Sequence, residues 1–269
     1  MIQQPEVKRI PNLKRFSGID GQTIDIKTDP RISTLCRLNI QNKTRRSHDM
    51  LDSPGGVGCA LSHIKLWQQL VQSHDNVIFI VEDDLVMNAG EWTKVREIYK
   101  NNEFLHDSTG WGIWSVGNLR CGAGPGKPYP DPLKKEDKWL DCKEFVGFNS
   151  YFISRSGAEA LLQQCFPIQH HIDWSVGFYA QTHPEFRIVW NKSLNLDQDM
   201  AMNQKELSDI RTKDTCDICD VPSDYEKTHM LVSFLAVQSI TTLSLVTLGI
   251  LVAGFFAFGS SGRRTRRLF

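Results

Sequence analysis

The sequence has no excess of charge of either sign. Its 269 residues include 31 Lys+Arg and 31 Asp+Glu, a formal net charge of +0. Nucleic-acid binders carry a basic patch or stripe that neutralises phosphates. None occurs before the C-terminal end, so no nucleic-acid partner is expected. Nor is a disulfide framework legible. The seven cysteines are odd in number and scattered: Cys36, Cys59, Cys121, Cys142, Cys165, Cys216 and Cys219. Cys216-x-x-Cys219 is half of a zinc knuckle with no second half nearby, so free or locally paired thiols are expected. Internal repeats and long low-complexity stretches are missing. The first 20 residues hold Lys8, Arg9, Lys14 and Arg15 but no apolar core of a secretory signal.

One long uncharged apolar run is present, at residues 231–258. A spanning helix needs about 20 apolar residues, so the run predicts a single C-terminal transmembrane helix with room for tilt. Arg263, Arg264, Arg266 and Arg267 follow it. The positive-inside rule would keep that cluster in the cytosol and the large domain on the other side. The missing signal opposes this, because a tail-anchored protein leaves its domain in the cytosol. The balance falls slightly on a cytosolic domain. The expected division is a catalytic domain at 1–212, a linker at 213–230, the span at 231–258 and a basic tail at 259–269.

Upstream of the span, helical and strand patterns alternate. Ala60, Leu61, Ile64, Trp67 and Val71 recur at helical spacing. They predict a helix over 59–71, starting after the breaker Pro54-Gly55-Gly56. Val77-Ile78-Phe79-Ile80-Val81 is a continuous apolar run, the pattern of a strand covered on both faces in a parallel sheet. A helix over 91–99, a strand over 111–116, a strand over 144–154, a helix over 157–165 and a strand over 186–190 follow. Residues 28–54 give no assignment. Residues 118–139, rich in Gly, Pro and Lys, predict a long loop that is either a lid or plain disorder. The alternation argues for an α/β fold with a mainly parallel sheet. In such sheets the ligand lies beyond the carboxyl ends of the strands.

Glu82, Asp83 and Asp84 occupy one such end. Adjacent carboxylates repel one another and stay ionised at low cost only in water or beside a cation. Hard oxygen donors suit Mg2+ or Mn2+, which take one or two carboxylates plus substrate phosphates. The alternative is a solvated turn whose acids favour a helix N-terminus. From these residues alone both readings stand.

The stretches GVGCALSHIKLW (56–67) and FIVEDDLVM (79–87) resemble the signature pair of glycosyltransferase family 25. That family includes bacterial lipooligosaccharide galactosyltransferases and collagen hydroxylysine galactosyltransferases. RFSGIDG (15–21) resembles its early strand and turn, and GFNSYFISRSGAEALL (147–162) its strand–helix unit. HIDW (171–174) resembles an acceptor-side segment with an Asp, and LDQDMAMNQKELSDI (196–210) the closing stretch. The resemblance implies a GT-A, Rossmann-like α/β glycosyltransferase domain with a mixed, mainly parallel sheet. It further implies a UDP-sugar donor, Mn2+ or Mg2+, and inversion at the anomeric carbon. Asp84 would ligate the metal, with Glu82 in the metal or ribose shell. Asp173 is the first candidate base, and Asp199 and Asp197 are alternatives. Ser62 and His63, placed at a helix start with free N–H groups, and Asn149 would contact the donor.

The sequence departs from the family at one point. Members begin with a further strand that helps cradle the uridine, and only 14 residues precede Arg15 here, without an apolar strand. An exposed sheet edge and an incomplete uridine end are therefore expected. Two functions follow. The first is a membrane hexosyltransferase moving galactose or glucose to a glycan, lipid-linked sugar or glycoprotein acceptor. The second is an inactive glycosyltransferase-like membrane scaffold.

Overall fold

The computed structural model describes residues 4–43, 45, 47–117, 120–122, 138–142, 144–194 and 196–198. Asp199, most of the 118–139 segment and the predicted linker, span and basic tail lie outside the described residues. Among the described residues, no helix is long and apolar enough to cross a membrane.

Helix α1 (Thr34–Asn42) opens the regular structure, capped by Ser33, whose Oγ accepts from the Cys36 amide at 3.0 Å. It buries only Cys36 and Asn39, so the sequence shows no apolar stripe there. Helix α2 runs over Pro54–Gln72. The Pro-Gly-Gly that predicts a break is instead its first turn. Ser53 Oγ accepts from the Gly56 amide at 3.2 Å, and proline fits the first helical position because its missing N–H has no partner there anyway. The glycines permit a close approach. A Cβ on Gly58 would run into the Ile19 carbonyl, and one on Gly21 into the Pro54 carbonyl. The 15–21 segment forms no strand. Asp20 Oδ1 caps a single 3-10 turn at Gly21–Thr23 that lies against α2.

The remaining elements are β1 (Val77–Val81), β2 (Leu85–Val86), α3 (Glu91–Asn101), β3 (Ile113–Ser115), β4 (Arg120–Gly122), β5 (Trp139–Cys142), β6 (Glu144–Val146), β7 (Ser150–Ser154), α4 (Arg155–Leu162), α5 (Ile172–Thr182), β8 (Ile188–Asn191) and β9 (Asp197–Gln198). The predicted 144–154 strand is two strands, separated where Gly147 adopts φ +107°.

The main sheet has the order β1-β7-β3-β8-β5. It is mixed, as expected, but not mainly parallel. Only β3 and β8 run parallel, while β1/β7, β3/β7 and β5/β8 are antiparallel. The apolar run of β1 reports cover on both faces and says nothing about the neighbour's direction. Ile78 and Ile80 join the core under α2, α4 and α5. Val77, Phe79 and Val81 join a second core with Trp92, Val95 and Trp114. Among the described residues no strand precedes β1 and none pairs with its outer edge. The N-terminal segment serves the second core: Val7 and Ile10 are buried in it. Gln4 donates to the Leu85 carbonyl at 2.7 Å and accepts from the Met87 amide at 2.8 Å. Cys142 is disulfide-bonded, and Cys36, Cys59 and Cys165 are free.

Candidate functional site

The three acids sit in the turn between β1 and β2. The sheet register pairs Val81 with Ser150, and the Glu82 amide continues it by donating to the Asn149 carbonyl at 2.8 Å. The Leu85 amide closes the turn on the Glu82 carbonyl at 3.3 Å. Strand β2 then pairs with β9, Leu85 opposite Gln198 and Val86 opposite Asp197. Glu82 and Asp84 are half-buried, and Asp83 is exposed.

Helix α2 supplies the wall. His63, 5% exposed, places Nε2 3.2 Å from Glu82 Oε1 and Nδ1 2.8 Å from the Tyr151 hydroxyl. Trp67 Nε1 donates to that same hydroxyl at 3.0 Å. Cys59 lies one helical turn before His63, and the donor atoms of Cys59, His63 and Glu82 fall within 4.8 Å of one another. Asp173 enters from the first turn of α5. Its Oδ2 accepts from the Gly147 amide at 2.9 Å and its Oδ1 from the Trp174 amide at 2.8 Å.

The electrostatics show how closely these groups converge. Burial pushes the Cys59 thiol well above its ordinary range, and Glu82, Asp173, Asp84 and Asp83 push it further. Burial also raises Asp173. The Gly147 and Trp174 amides oppose that, and the charge of Glu82 reinforces it. The Tyr151 phenol is raised by burial and by Glu82 against the Trp67 hydrogen bond. Four carboxylates thus act on one thiol, a concentration of negative charge that a cation would relieve. Their hard oxygens fit Mg2+ or Mn2+, with Asp84 and Glu82 the half-buried pair able to hold it.

Glu82 and His63 are therefore in direct contact, while Asp84 and Asp173 are near enough for their charges to act on Cys59. Ser62 does not join them. Its Oγ accepts from the Ile19 amide at 2.8 Å and donates to the Gly58 carbonyl at 2.7 Å, tying α2 to the 18–21 turn. Ser62 and His63 are also not at a helix start, because α2 begins at Pro54 and both lie in its interior. Their N–H groups belong to the helix ladder and are not free for a phosphate. Asn149 is 3% exposed and donates to the Leu196 carbonyl at 3.3 Å. Asp197 contributes backbone to β9. Cys59, Trp67 and Tyr151 complete the site without having been expected there. The Cys59-x3-His63 spacing, which puts both on one helix face, was the one signal available. Trp67 belongs to the apolar pattern of α2 and Tyr151 to a strand pattern, and neither pattern reports the polar atom the side chain carries.

The comparisons with known proteins give the family. The family model described as glycosyltransferase family 25 (LPS biosynthesis protein) matches residues 1–176. A "Glycosyltransferase 25 family member" of Anopheles gambiae is 22% identical over 166 residues, covering 57% of this chain and 24% of the relative. The chain thus spans about a quarter of the length of the curated relative it matches. Because the family match runs from residue 1 past Asp173, it takes in every site residue whose side chain is described, and the chain belongs to glycosyltransferase family 25.

Proposed function

We propose that this protein is a metal-dependent hexosyltransferase. It moves galactose or glucose from a UDP-sugar to a glycan, lipid-linked sugar or protein acceptor, with inversion. The observation that carries the reading is the Asp173 carboxyl of α5, pinned by two backbone amides and pushed up by burial and by the charge of Glu82 at the end of β1. A divalent cation, Mn2+ or Mg2+, held by Asp84 and Glu82 would offset the charge on the diphosphate leaving group.

The chain's own groups supply the rest. A carboxylate oxygen of Asp173 takes the proton of the acceptor hydroxyl as that oxygen attacks the anomeric carbon. The bond from that carbon to the nucleotide oxygen breaks on the opposite side. Two backbone amides fix the orientation of Asp173, and burial makes it a stronger base than an exposed carboxylate. Asp199 is the alternative base, since its chain neighbours in β9 pair beside the triplet. Ser62, His63 and Asn149 shape the donor site from behind, through protein contacts already made. In this reading residues 231–258 anchor the 1–212 domain to a membrane. The Cys142 disulfide and the Arg263–Arg267 cluster weigh for a domain on the oxidising side and not the cytosolic one.

UDP release in Mn2+ across a donor panel tests the reading. Asp84→Ala is expected to abolish it, and unchanged release would overturn the metal assignment. A second reading, an inactive scaffold, is favoured by the outer edge of β1, which no strand pairs among the described residues. Calorimetric titration with UDP and Mn2+ separates the two. Absence of binding at about millimolar ligand favours the scaffold.

A further inference from the structure

The Trp67, Tyr151, His63 and Glu82 side chains form one hydrogen-bonded chain from the core to the acidic turn, and its polarity can be worked out. Trp67 and Tyr151 are fully buried. Trp67 Nε1 can only donate, so at 3.0 Å it uses one lone pair of the Tyr151 oxygen. The Tyr151 hydrogen then needs an acceptor. Among the described residues the one other polar atom hydrogen-bonded to that oxygen is His63 Nδ1, at 2.8 Å.

If Nδ1 carried a hydrogen, the buried Tyr151 O–H would be left unsatisfied, a costly arrangement. This holds for the Nδ1–H tautomer and for a doubly protonated ring alike. The Nδ1–H tautomer would also turn the bare lone pair of Nε2 toward a Glu82 oxygen 3.2 Å away. The one arrangement that satisfies every atom runs Trp67 N–H to Tyr151 O, Tyr151 O–H to His63 Nδ1, and His63 Nε2–H to Glu82 Oε1. Phe148, 4% exposed, packs on both rings, with centroids 5.3 Å from His63 and 4.2 Å from Tyr151. It shields the His63 and Tyr151 rings.

We propose that His63 is a positioning residue: Trp67 and Tyr151 fix it as the Nε2–H tautomer, and it holds Glu82 by Oε1 so that Oε2 is the oxygen presented to a ligand. Cys59, His63 and Glu82 have the composition of a soft-metal centre. With Nε2 protonated and Nδ1 occupied, His63 has no lone pair to give a metal. The cluster therefore orients an acid and does not form a metal centre of its own. The functional consequence rests on Glu82 being a ligand-holding acid, while the tautomer assignment stands apart from it.

Two measurements on the full chain test this. Long-range 1H–15N correlation of 15N-histidine-labelled protein, with His63 assigned from the His63→Gln spectrum, is expected to show the Nε2–H pattern. Tyr151→Phe keeps the ring and removes the O–H; because Glu82 still accepts from Nε2, it is expected to keep the Nε2–H pattern while the Nδ1 15N resonance shifts as its hydrogen bond is lost. Trp67→Phe, which leaves the Tyr151 O–H in place, keeps the Nε2–H pattern. An Nδ1–H pattern in the unmodified chain overturns the assignment whatever the variants do. So does a Co2+ thiolate absorption band lost in both Cys59→Ser and His63→Gln.

The second measurement is calorimetry with Mn2+ and UDP. His63→Gln can still donate to Glu82 and accept from Tyr151, and is expected to keep affinity within about threefold, while His63→Leu weakens it about 10- to 100-fold. Equal affinity in His63→Leu and the unmodified chain overturns the positioning role. If the unmodified chain binds neither ligand, the proposed activity fails and the tautomer result still decides the relay.

Discussion

The backbone N–H of Glu82 donates to the carbonyl of Asn149 at 2.8 Å. This bond carries the β1–β7 ladder one step past Val81 and Ser150, so the sheet itself holds the first acid of the triplet. The Asn149 side chain in turn donates to the Leu196 carbonyl and fills the space beside Gly117 that a Cβ would take. Asn149→Ala is therefore expected to lower stability by about 1–3 kcal/mol in denaturant unfolding, through a lost buried hydrogen bond and a cavity. The donor KM should stay within about twofold. A selective rise in KM with unchanged stability would make Asn149 a donor contact instead.

The adjacent acids Asp83 and Asp84 differ in exposure, Asp83 being exposed and Asp84 half-buried. A cation at the turn is held better by the half-buried acid than by the one in open solvent. Asp84→Asn is expected to abolish Mn2+-dependent UDP binding and to lower kcat/KM by about 100-fold or more, whereas Asp83→Asn changes it by about threefold at most. Equal losses in the two variants would mean that net charge at the turn matters and not one ligand.

Much of this site was legible because its signals are local. An apolar pentad followed by three acids fixes a strand and its end, and the structure puts both there, on a sheet edge where Ile80 alone of the five is buried. Other features depend on distant partners. The direction of β7 against β1 is set by how residues 82–149 return to the sheet, and β-branched residues in β1 carry no trace of it. The start of α2 differs from the expected one because Pro54-Gly55-Gly56 suggests a break and forms the first turn instead. What Gly58 supplies is room for the 18–21 turn, which only tertiary packing reveals. Tyr151 and Trp67 are aromatic residues in apolar patterns. Their polar atoms gain meaning only when α2 and β7 are placed side by side.

That packing gives a third prediction. A Cβ on Gly58 would meet the Ile19 carbonyl and the Gly21 amide, both backbone groups that cannot rotate away. Gly58→Ala is expected to cost about 1–3 kcal/mol despite alanine's better helix propensity. Gly110→Ala, whose nearest neighbour is the Asp107 carbonyl at 3.5 Å, should stay within about 0.5 kcal/mol. Thermal unfolding of the two variants makes the comparison. A stabilised Gly58→Ala would mean that the 18–21 turn can leave the helix without loss.

A fourth prediction concerns pH and the strap that carries Asp173. His170 Nδ1 lies 2.6 Å from Asp49 Oδ2, the His171 amide donates to the Asp49 carbonyl at 2.8 Å, and the Leu51 amide donates to the Gln169 carbonyl at 3.1 Å. Residues 49–51 thus hold the segment that leads into α5. Burial pushes the Asp49 carboxyl up, but the hydrogen bond and charge of His170 outweigh it and hold the group below its usual range. A value lower in the folded than in the unfolded chain adds stability that is complete above the unfolded value. That stability disappears as pH falls through the folded one. Asp49→Asn is expected to be less stable by about 1–2 kcal/mol near neutral pH, and the gap should close as the solution is acidified below the ordinary carboxylate range. Thermal melts of both proteins across that range decide it. A gap of constant size at every pH would show that Asp49 acts through shape and backbone contacts, with no part played by its charge.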